Sequence, residues 1–122
     1  MFDLSGRSAL VTGAGSGIGA SVARAFAKAG AAVLVTDVNG DSAAAVAASI
    51  VESGGIAKSA ILDVRDGDQA AAAAEQAAAL ADGTLHIVVN NAGAIAPNMV
   101  PNLSADDFRR IVDIHLNGSF VC

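Results

Sequence analysis

The stretch Thr12-Gly13-Ala14-Gly15-Ser16-Gly17-Ile18-Gly19 lies between a short apolar run and a segment with helical periodicity. Residues 8–12 have the length and composition of a buried strand. Residues 17–29 place apolar side chains on one helical face, and Gly30 then ends the pattern. Glycines between a strand and a helix let backbone N–H groups approach an anion at the helix N-terminus. The stretch therefore predicts a phosphate-binding turn, although glycines also occur in turns that bind nothing.

The rest of the chain repeats the alternation of strand and helix. Apolar runs at 32–36, 56–62 and 85–89 predict three more strands, and residues 41–53 predict a helix between the first two of them. Capping-box spacing at Asp66-Gly67-Asp68-Gln69 and at Ser104-Ala105-Asp106-Asp107 predicts the starts of two further helices. The first of these ends near residues 82–83, and the second shows no stop signal before Cys122.

Strands separated by helices of this length require right-handed crossovers and parallel pairing. The predicted fold class is α/β: the N-terminal half of a Rossmann-like doubly wound parallel sheet, with four strands and flanking helices. Residues 1–122 are expected to form part of a single dinucleotide-binding domain, with the chain ending inside the helix that follows the fourth strand.

Composition and charge exclude several classes of function. Seven Lys and Arg stand against twelve Asp and Glu, for a net charge of −5, and the only adjacent basic pair is Arg109-Arg110. Nucleic-acid binding needs clustered basic residues, so we expect no nucleic-acid partner. No apolar run approaches the roughly 18 residues of a membrane span. A single cysteine fits a reducing compartment. We expect a cytoplasmic protein without a membrane partner or a metal site.

The spacing of the glycines narrows the class of nucleotide site. No Lys-Ser/Thr pair follows them, which excludes a P-loop, and the sixth position counted from Gly13 or from Gly15 is not glycine, which excludes G-x-G-x-x-G. The pattern present is T-G-x-x-x-G-x-G. With Asn90-Asn91-Ala92-Gly93 after the fourth predicted strand and Asp63-Val64 after the third, the sequence resembles the short-chain dehydrogenases/reductases over nearly its whole length.

The resemblance implies a nicotinamide dinucleotide cofactor and the residues that bind it. Asp37 follows the second strand, where a carboxylate can accept both hydroxyls of the adenosine ribose, or can simply stabilise the turn before Asn39-Gly40. Neither Ser16 nor Val38 supplies a cation for a 2′-phosphate, so the expected cofactor is NAD. Asp63 is expected either to contact adenine or to satisfy backbone donors at the strand end. The expected cofactor-binding residues are Gly13, Ser16, Gly17, Ile18, Gly19, Asp37, Val38, Asp63, Val64, Asn91, Ala92 and Gly93, and Asn90 is expected to be structural.

The family's acid/base chemistry uses a Ser and a Tyr-x-x-x-Lys pair, and this chain contains no tyrosine. The family motif N-L-x-G is matched by His115-Leu116-Asn117-Gly118, so His115 stands where the family has a catalytic Asn. In the family that Asn kinks the helix and holds, through its backbone carbonyl, a water that contacts the catalytic Lys. The alternative for His115 is a core histidine on the apolar stripe of Phe108, Ile111 and Val112. His86 is expected to be structural, and Cys122 is given no role.

The predicted function of the parent protein is NAD-dependent hydride transfer between nicotinamide and an alcohol or ketone, in a homo-oligomer (dimer or tetramer). One alternative is a dinucleotide-binding module without catalysis. Another is a half-domain that pairs with a partner chain through the exposed edge of the fourth strand. A Ser followed by Tyr-x-x-x-Lys beyond Cys122 would indicate the enzyme. Residues 1–122 alone are expected to self-associate, to bind NAD weakly at best and to show no turnover.

Overall fold

The computed structural model describes residues 2–122, which are organised around a parallel sheet with strand order β3-β2-β1-β4. The strands are β1 (Ser8–Val11), β2 (Ala32–Asp37), β3 (Ile56–Ile61) and β4 (Ile87–Val89). The helices are α1 (Gly17–Lys28), α2 (Gly40–Glu52), α3 (Gly67–Ala79), α4 (Ala105–Val112) and α5 (Gly118–Val121). A 3₁₀ turn (Val100–Asn102) precedes α4, and a π-helical turn (Asp113–Asn117) joins α4 to α5. The predicted α/β fold class, with four parallel strands and flanking helices, is confirmed.

The two central strands explain why the sheet forms in this order. All four residues of β1 are buried, as are the first five of β2, which is expected of parallel strands that helices cover on both faces. The polar residues among them are Ser8 and Thr36, and both hydroxyl groups are hydrogen-bonded. Successive side chains point to opposite faces. Ala9 and Val11 therefore pack towards α1 and α2, whereas Leu10 packs towards α3. β3 and β4 are the edges of the sheet.

Alanine dominates the helix surfaces that face the sheet. The buried residues of α1 are Gly19, Ala20, Ala23 and Ala27, and those of α3 are Ala70, Ala73 and Ala77. Alanine is the best helix former and loses no side-chain entropy on burial. α1 and α3 consequently present mainly methyl groups to the sheet, whereas α2 also buries Val46 and Ile50. The largest fully buried side chains come from β1, β2 and the residues that follow them.

The predicted starts of α3 and α4 are present, with one correction in the hydrogen bonding. The Asp66 carboxylate accepts from the backbone N–H groups of Asp68 and Gln69, and the Ser104 hydroxyl accepts from Asp107 N–H at 3.0 Å. The reciprocal half of the capping box is missing at α3, because Gln69 Oε1 accepts from Asp63 N–H at 2.8 Å instead of from Asp66. Gln69 thus holds the strand-end loop that carries Asp63.

β4 is shorter than the predicted residues 85–89, and the reason lies in side-chain hydrogen bonds. Ser8 N–H donates to Nδ1 of His86 at 3.1 Å, and the Ser8 hydroxyl donates to the Thr84 carbonyl at 2.5 Å. These bonds replace ladder hydrogen bonds at the start of the strand, so regular pairing begins at Ile87. His86 therefore joins β4 to β1 through its imidazole.

The final helix is not regular. Gly118 N–H donates to the Asp113 carbonyl five residues earlier, which is the π-helical pattern, and the chain then continues as α5 to Val121. Gly118 is buried against Val64, where an added Cβ would lie 2.6 Å from Cγ2. This contact sets the helix directly over the loop that follows β3. Within residues 2–122, no helix is long and apolar enough to cross a bilayer.

A pair of valines tests the assignment of the core. Val33 in β2 is fully buried, whereas Val51 in α2 is 54% exposed. Val33→Ala in the intact protein should lower the free energy of unfolding by about 2 to 3 kcal/mol, because it removes two buried methyl groups and leaves a cavity. Val51→Ala should change it by less than about 0.5 kcal/mol. Urea denaturation of both variants measures the difference, and equal values would contradict the layer assignment.

Candidate functional site

The N-terminus of α1 opens into a cleft at the carboxyl ends of the strands. Ser16 occupies the capping position but its side chain makes no capping hydrogen bond, and no acidic residue lies in the first turn of α1, within the part of the chain that the structure describes. In contrast, α2 is capped by Asn39, α3 by Asp66 and α4 by Ser104. The first N–H groups of α1 and the positive end of its dipole therefore remain available to an anion.

Two glycines bring the turn before α1 against the segment that follows β4. Gly13 has φ +61°, and a Cβ there would lie 2.8 Å from the Cα of Ala92. A Cβ on Gly19 would lie 2.5 Å from the Gly13 carbonyl oxygen and 2.9 Å from Ala14 Cα. Both approaches exclude any side chain. The glycine spacing therefore serves close packing as well as ligand access.

Thr12 and Asn91 connect the same two segments by hydrogen bonds. The Thr12 hydroxyl oxygen accepts from Asn91 N–H at 3.1 Å and from Ala92 N–H at 3.0 Å. The Asn91 side-chain amide donates to the carbonyl oxygens of Thr12 and Gly13, each at 3.1 Å. These bonds hold the predicted phosphate-binding turn and the Asn-Ala-Gly segment in one rigid corner of the sheet. Asn90 contributes a longer bond, from Nδ2 to the Ser119 carbonyl at 3.4 Å.

Asp37 lies at the end of β2, next to the turn. Its Oδ2 accepts from Gly15 N–H at 3.0 Å and its Oδ1 from Asn39 N–H at 3.0 Å. The bond to Asn39 stabilises the turn before Asn39-Gly40, as one of the two predicted alternatives required. The bond to Gly15 stabilises the turn before α1. The carboxylate also lines the cleft, where the remaining lone pairs of its oxygens are positioned to accept from hydroxyl groups.

The cleft has a volume of about 580 Å³. The structure brings eleven of the twelve predicted cofactor-binding residues together around it, and the twelfth, Gly19, is buried in the adjoining turn. The lining is Gly13, Ser16, Gly17, Ile18, Asp37, Val38, Leu62, Asp63, Val64, Arg65, Asn91, Ala92, Gly93, Ala94, Arg110 and Ile114. His115 is not part of this lining.

Five of these lining residues were not predicted from the sequence, and two of them are cations. Leu62, Ala94 and Ile114 are apolar neighbours of predicted residues, and Arg65 and Arg110 belong to a loop and to α4 respectively. Arg65 directly follows Asp63-Val64, which was the one available signal. Nothing in the spacing of the sequence points Arg110 towards the cleft.

Arg65 forms an ion pair with Asp63. Arg65 Nε donates to Asp63 Oδ1 at 3.0 Å, and a terminal nitrogen of the guanidinium donates to Oδ2 at 2.7 Å. These hydrogen bonds lower the pKa of Asp63 below its usual range and raise the pKa of Arg65. Because the folded-state pKa of Asp63 is lowered, its ionised form stabilises the fold above the unfolded-state pKa of about 3.9. That contribution is lost as the pH falls through the lower folded-state pKa, and it is small because the pair is partly exposed.

The predicted alternative of a core histidine at position 115 is wrong. The side chain of His115 is exposed, so it is not a core histidine, and Phe108 on the same predicted stripe is 59% exposed. Its Nε2 lies 3.0 Å from Ala94 N and 2.8 Å from Ala94 O, so it accepts from the N–H in one tautomer and donates to the carbonyl in the other. A Cβ on Gly93 would lie 2.6 Å from Cε1 of the ring. The imidazole therefore anchors residues 93–94.

The backbone carbonyl of His115 is engaged as well. It accepts from the Ser119 hydroxyl at 2.7 Å, and His115 itself lies in the π-helical turn. His115 thus connects the last helix to the segment after β4 by its side chain, and binds its own helix by its carbonyl.

Two further predictions can be placed. Burial raises the pKa of the Cys122 thiol, which disfavours the reactive thiolate. Among residues 2–122, no three His, Cys, Asp or Glu side chains lie close enough together to hold a metal ion.

Comparison with known proteins identifies the family. The sequence model of the short chain dehydrogenases matches residues 7–122, so the chain belongs to the short chain dehydrogenase family. A hydroxysteroid dehydrogenase from Escherichia coli superposes with a TM-score of 0.90 at 38% identity, over 98% of this chain and 50% of that one.

Characterised relatives include several dehydrogenases. Cyclohexanol dehydrogenase of Acinetobacter sp. (strain SE19) is 40% identical over 92% of this chain and 45% of its own length. The NAD(+)-dependent 2-dehydro-3-deoxy-L-rhamnonate dehydrogenase of Sphingomonas sp. (strain SKA58) is 42% identical over 96% of this chain and 45% of its own length. D-threitol dehydrogenase of Mycolicibacterium smegmatis is 39% identical over 98% of this chain and 46% of its own. The chain thus spans about half the length of these relatives.

Gly19 provides a test of the packed turn. Gly19→Ala forces a methyl group against the Gly13 carbonyl, so we expect the free energy of unfolding of the intact protein to fall by about 1 to 3 kcal/mol. Binding of a nicotinamide dinucleotide by the intact protein should weaken by about tenfold or more, because the turn must move. Gly67→Ala is the matched control, since the nearest atom that its added Cβ would meet, Val121 Cγ1, is 4.0 Å away. Denaturation and calorimetry measure both effects, and a Gly19→Ala variant as stable and as tightly binding as Gly67→Ala would refute the packing argument.

His115 provides a second test. His115→Asn keeps one donor and one acceptor for Ala94, so turnover of the intact enzyme should stay within about tenfold, or roughly 1.4 kcal/mol of barrier. His115→Ala removes the anchor of residues 93–94 and should raise KM for the cofactor more than it lowers kcat. Steady-state kinetics distinguish the two variants. A loss of several hundredfold in His115→Asn would mean that the imidazole itself takes part in the reaction.

Proposed function

We propose that the protein containing this chain is an NAD-dependent oxidoreductase that transfers hydride between nicotinamide and an alcohol or ketone. The observation that carries the proposal is the uncapped N-terminus of α1, which opens into a cleft with carboxylates at the ends of the next two strands. This arrangement fits a dinucleotide, because a pyrophosphate requires N–H donors and the ribose hydroxyls require acceptors.

Most of the predicted binding residues then have a defined task. The N–H groups at the start of α1 would hold the pyrophosphate, with Gly13 and Gly17 leaving room for its oxygens. Asp37 would accept from the adenosine ribose, and Asp63 and Val64 would lie beside the adenine. Asn91, Ala92 and Gly93 would form the wall of the cleft beyond the pyrophosphate. The nicotinamide ring, when bound, supplies the hydride chemistry.

The chain's own contribution to the reaction is to bind and to orient. Family membership supports an alcohol or ketone as substrate, since the cyclohexanol and D-threitol dehydrogenases are named for alcohols. The family's Tyr-x-x-x-Lys pair is not within residues 1–122, which contain no tyrosine. His115 would act as a positioning residue through residues 93–94. The homo-oligomeric state and the cytoplasmic location stay predictions.

Asp37 supports NAD over NADP. Its ionised carboxylate would repel a 2′-phosphate, and Arg65, a nearby cation of the cleft, is already paired with Asp63. One named relative, from Sphingomonas, is an NAD(+) enzyme. A module that binds the dinucleotide without catalysis is the second candidate, and it shares every feature of the cleft. Turnover by the intact protein separates the two.

The experiment measures both binding and turnover of the intact protein. We expect calorimetry to show tighter binding of NAD(H) than of NADP(H). In Asp37→Ala the two dissociation constants should lie closer together, because the carboxylate that repels the 2′-phosphate is removed. NADH formation with a panel of secondary alcohols tests the oxidoreductase activity. Equal or tighter NADPH binding to the unmodified protein would contradict the cofactor assignment and point to Arg65 or Arg110 as a phosphate ligand. Tight NAD binding without any turnover would favour the non-catalytic module.

A further inference from the structure

Arg65 holds the Asp63 carboxylate from three donors. Asp63 Oδ1 accepts from the Arg65 backbone N–H and from its Nε, both at 3.0 Å, while Oδ2 accepts from the terminal guanidinium nitrogen at 2.7 Å. Two parallel N–H···O bonds from a planar guanidinium fix the plane of a carboxylate, and a lysine cannot do this. The rotation of the Asp63 side chain is therefore set by the residue two positions further on.

The three hydrogen bonds from Arg65, here called the clamp, leave one hydrogen-bonding position on the Asp63 carboxylate. An ionised carboxylate offers about four lone-pair positions, two on each oxygen. Oδ1 uses both of its positions, whereas Oδ2 receives one hydrogen bond from the described residues. The side chain of Asp63 is 31% exposed and lines the cleft, so the free position of Oδ2 can be reached by a ligand.

Apolar side chains form part of the cleft beside that position. Leu62 and Val64 flank Asp63 in the sequence, and Ile114 from the π-helical turn lines the same cleft. A flat ring with a single N–H donor on its rim matches this combination of apolar walls and one fixed acceptor. The 6-amino group of adenine is such a donor, whereas hypoxanthine carries a carbonyl oxygen at that position.

We propose that Arg65 is a positioning residue that makes the cleft select a 6-aminopurine dinucleotide over a 6-oxopurine dinucleotide. It does so by holding Asp63 Oδ2 where only the amino group can donate to it. This inference rests on the proposed NAD-dependent function. A fixed acceptor rejects hypoxanthine because two oxygens would face each other, while a mobile carboxylate could turn to accept from the ring N1–H of hypoxanthine.

Other charged groups belong to the same region of the molecule. Asp37 lines the cleft at the end of β2, and Arg110 lines it from α4. Asp113, on the π-helical turn, attracts Arg65 electrostatically. Without Arg65, the Asp63 carboxylate would lose the hydrogen bonds that fix its plane, so it would no longer keep one orientation.

The test uses the intact protein and two probes, NAD and nicotinamide hypoxanthine dinucleotide, with dissociation constants measured by calorimetry. The unmodified protein should prefer NAD by about tenfold. Arg65→Met should reduce this preference by about three- to tenfold, through weaker NAD binding and equal or tighter binding of the hypoxanthine dinucleotide. Arg65→Lys keeps the positive charge but not the paired N–H donors of the guanidinium. Its preference for NAD should lie between that of the unmodified protein and that of Arg65→Met.

Arg109→Met is the matched control, because Arg109 pairs with Asp106 on the exposed surface of α4. It should leave the preference unchanged. If Arg65→Met or Arg65→Lys folds normally and keeps the full preference, the proposal is wrong, and tighter NAD binding in Arg65→Met would mean that Arg65 competes with adenine. If the unmodified protein binds NAD tightly but shows no preference, only this inference fails. If it binds neither probe, the proposed function fails with it.

Discussion

The hydroxyl group of Thr12 holds the two walls of the cleft at a fixed separation. It is buried at the end of β1 and accepts from two consecutive backbone N–H groups, those of Asn91 and Ala92. The Asn91 side-chain amide adds two hydrogen bonds, donated to the carbonyl oxygens of Thr12 and Gly13. A buried donor that loses its partner costs about 1 to 3 kcal/mol, so separating these two segments is unfavourable. The turn before α1 and the segment after β4 therefore behave as one unit.

This corner also determines where the positive end of α1 points. Since Asp37 binds the N–H of Gly15, which lies before the helix, its charge does not occupy the first N–H groups of α1. The helix can keep an uncapped N-terminus because those groups face the cleft and solvent, where water satisfies them. A capping carboxylate at position 16 would remove the attraction for an anion. The sequence has serine there, and its hydroxyl stays out of the cap.

The parts of the fold that follow local rules could be predicted from the sequence. The first three strands lie within a residue of their predicted bounds, because continuous apolar runs and glycine stops mark buried parallel strands. The eleven predicted residues in the cleft came from the resemblance to the family, and they lie together because consecutive strands of a parallel sheet end at the same edge. The tether between His86 and Ser8, which shortens β4, joins residues 78 positions apart and leaves no local pattern.

The missed residues have the same explanation. Arg65 is a cation in a loop and Arg110 a cation on an exposed helix, and in most sequences such residues are solvated. Only the path of the chain around β3 and the π-helical turn turns them towards the cleft. The partner of His115 could not be predicted either, because Ala94 offers only its backbone and carries no side-chain signal.

The methyl-lined helices have a consequence for how this protein can change over evolutionary time. The fully buried side chains of α1 that face β1 and β2 are alanines, with Val22 and Phe26 only partly buried beside them, so helix and sheet lie close together. A mutation from alanine to leucine at Ala23 would push the whole helix outward, since there is no void to receive the added carbons. α1 begins at Gly17, so the turn would be displaced along with it. The geometry of ligand binding therefore limits which substitutions the hydrophobic core accepts over evolutionary time. This limit reaches positions such as Ala23, which lies more than one helical turn beyond the start of α1 at Gly17.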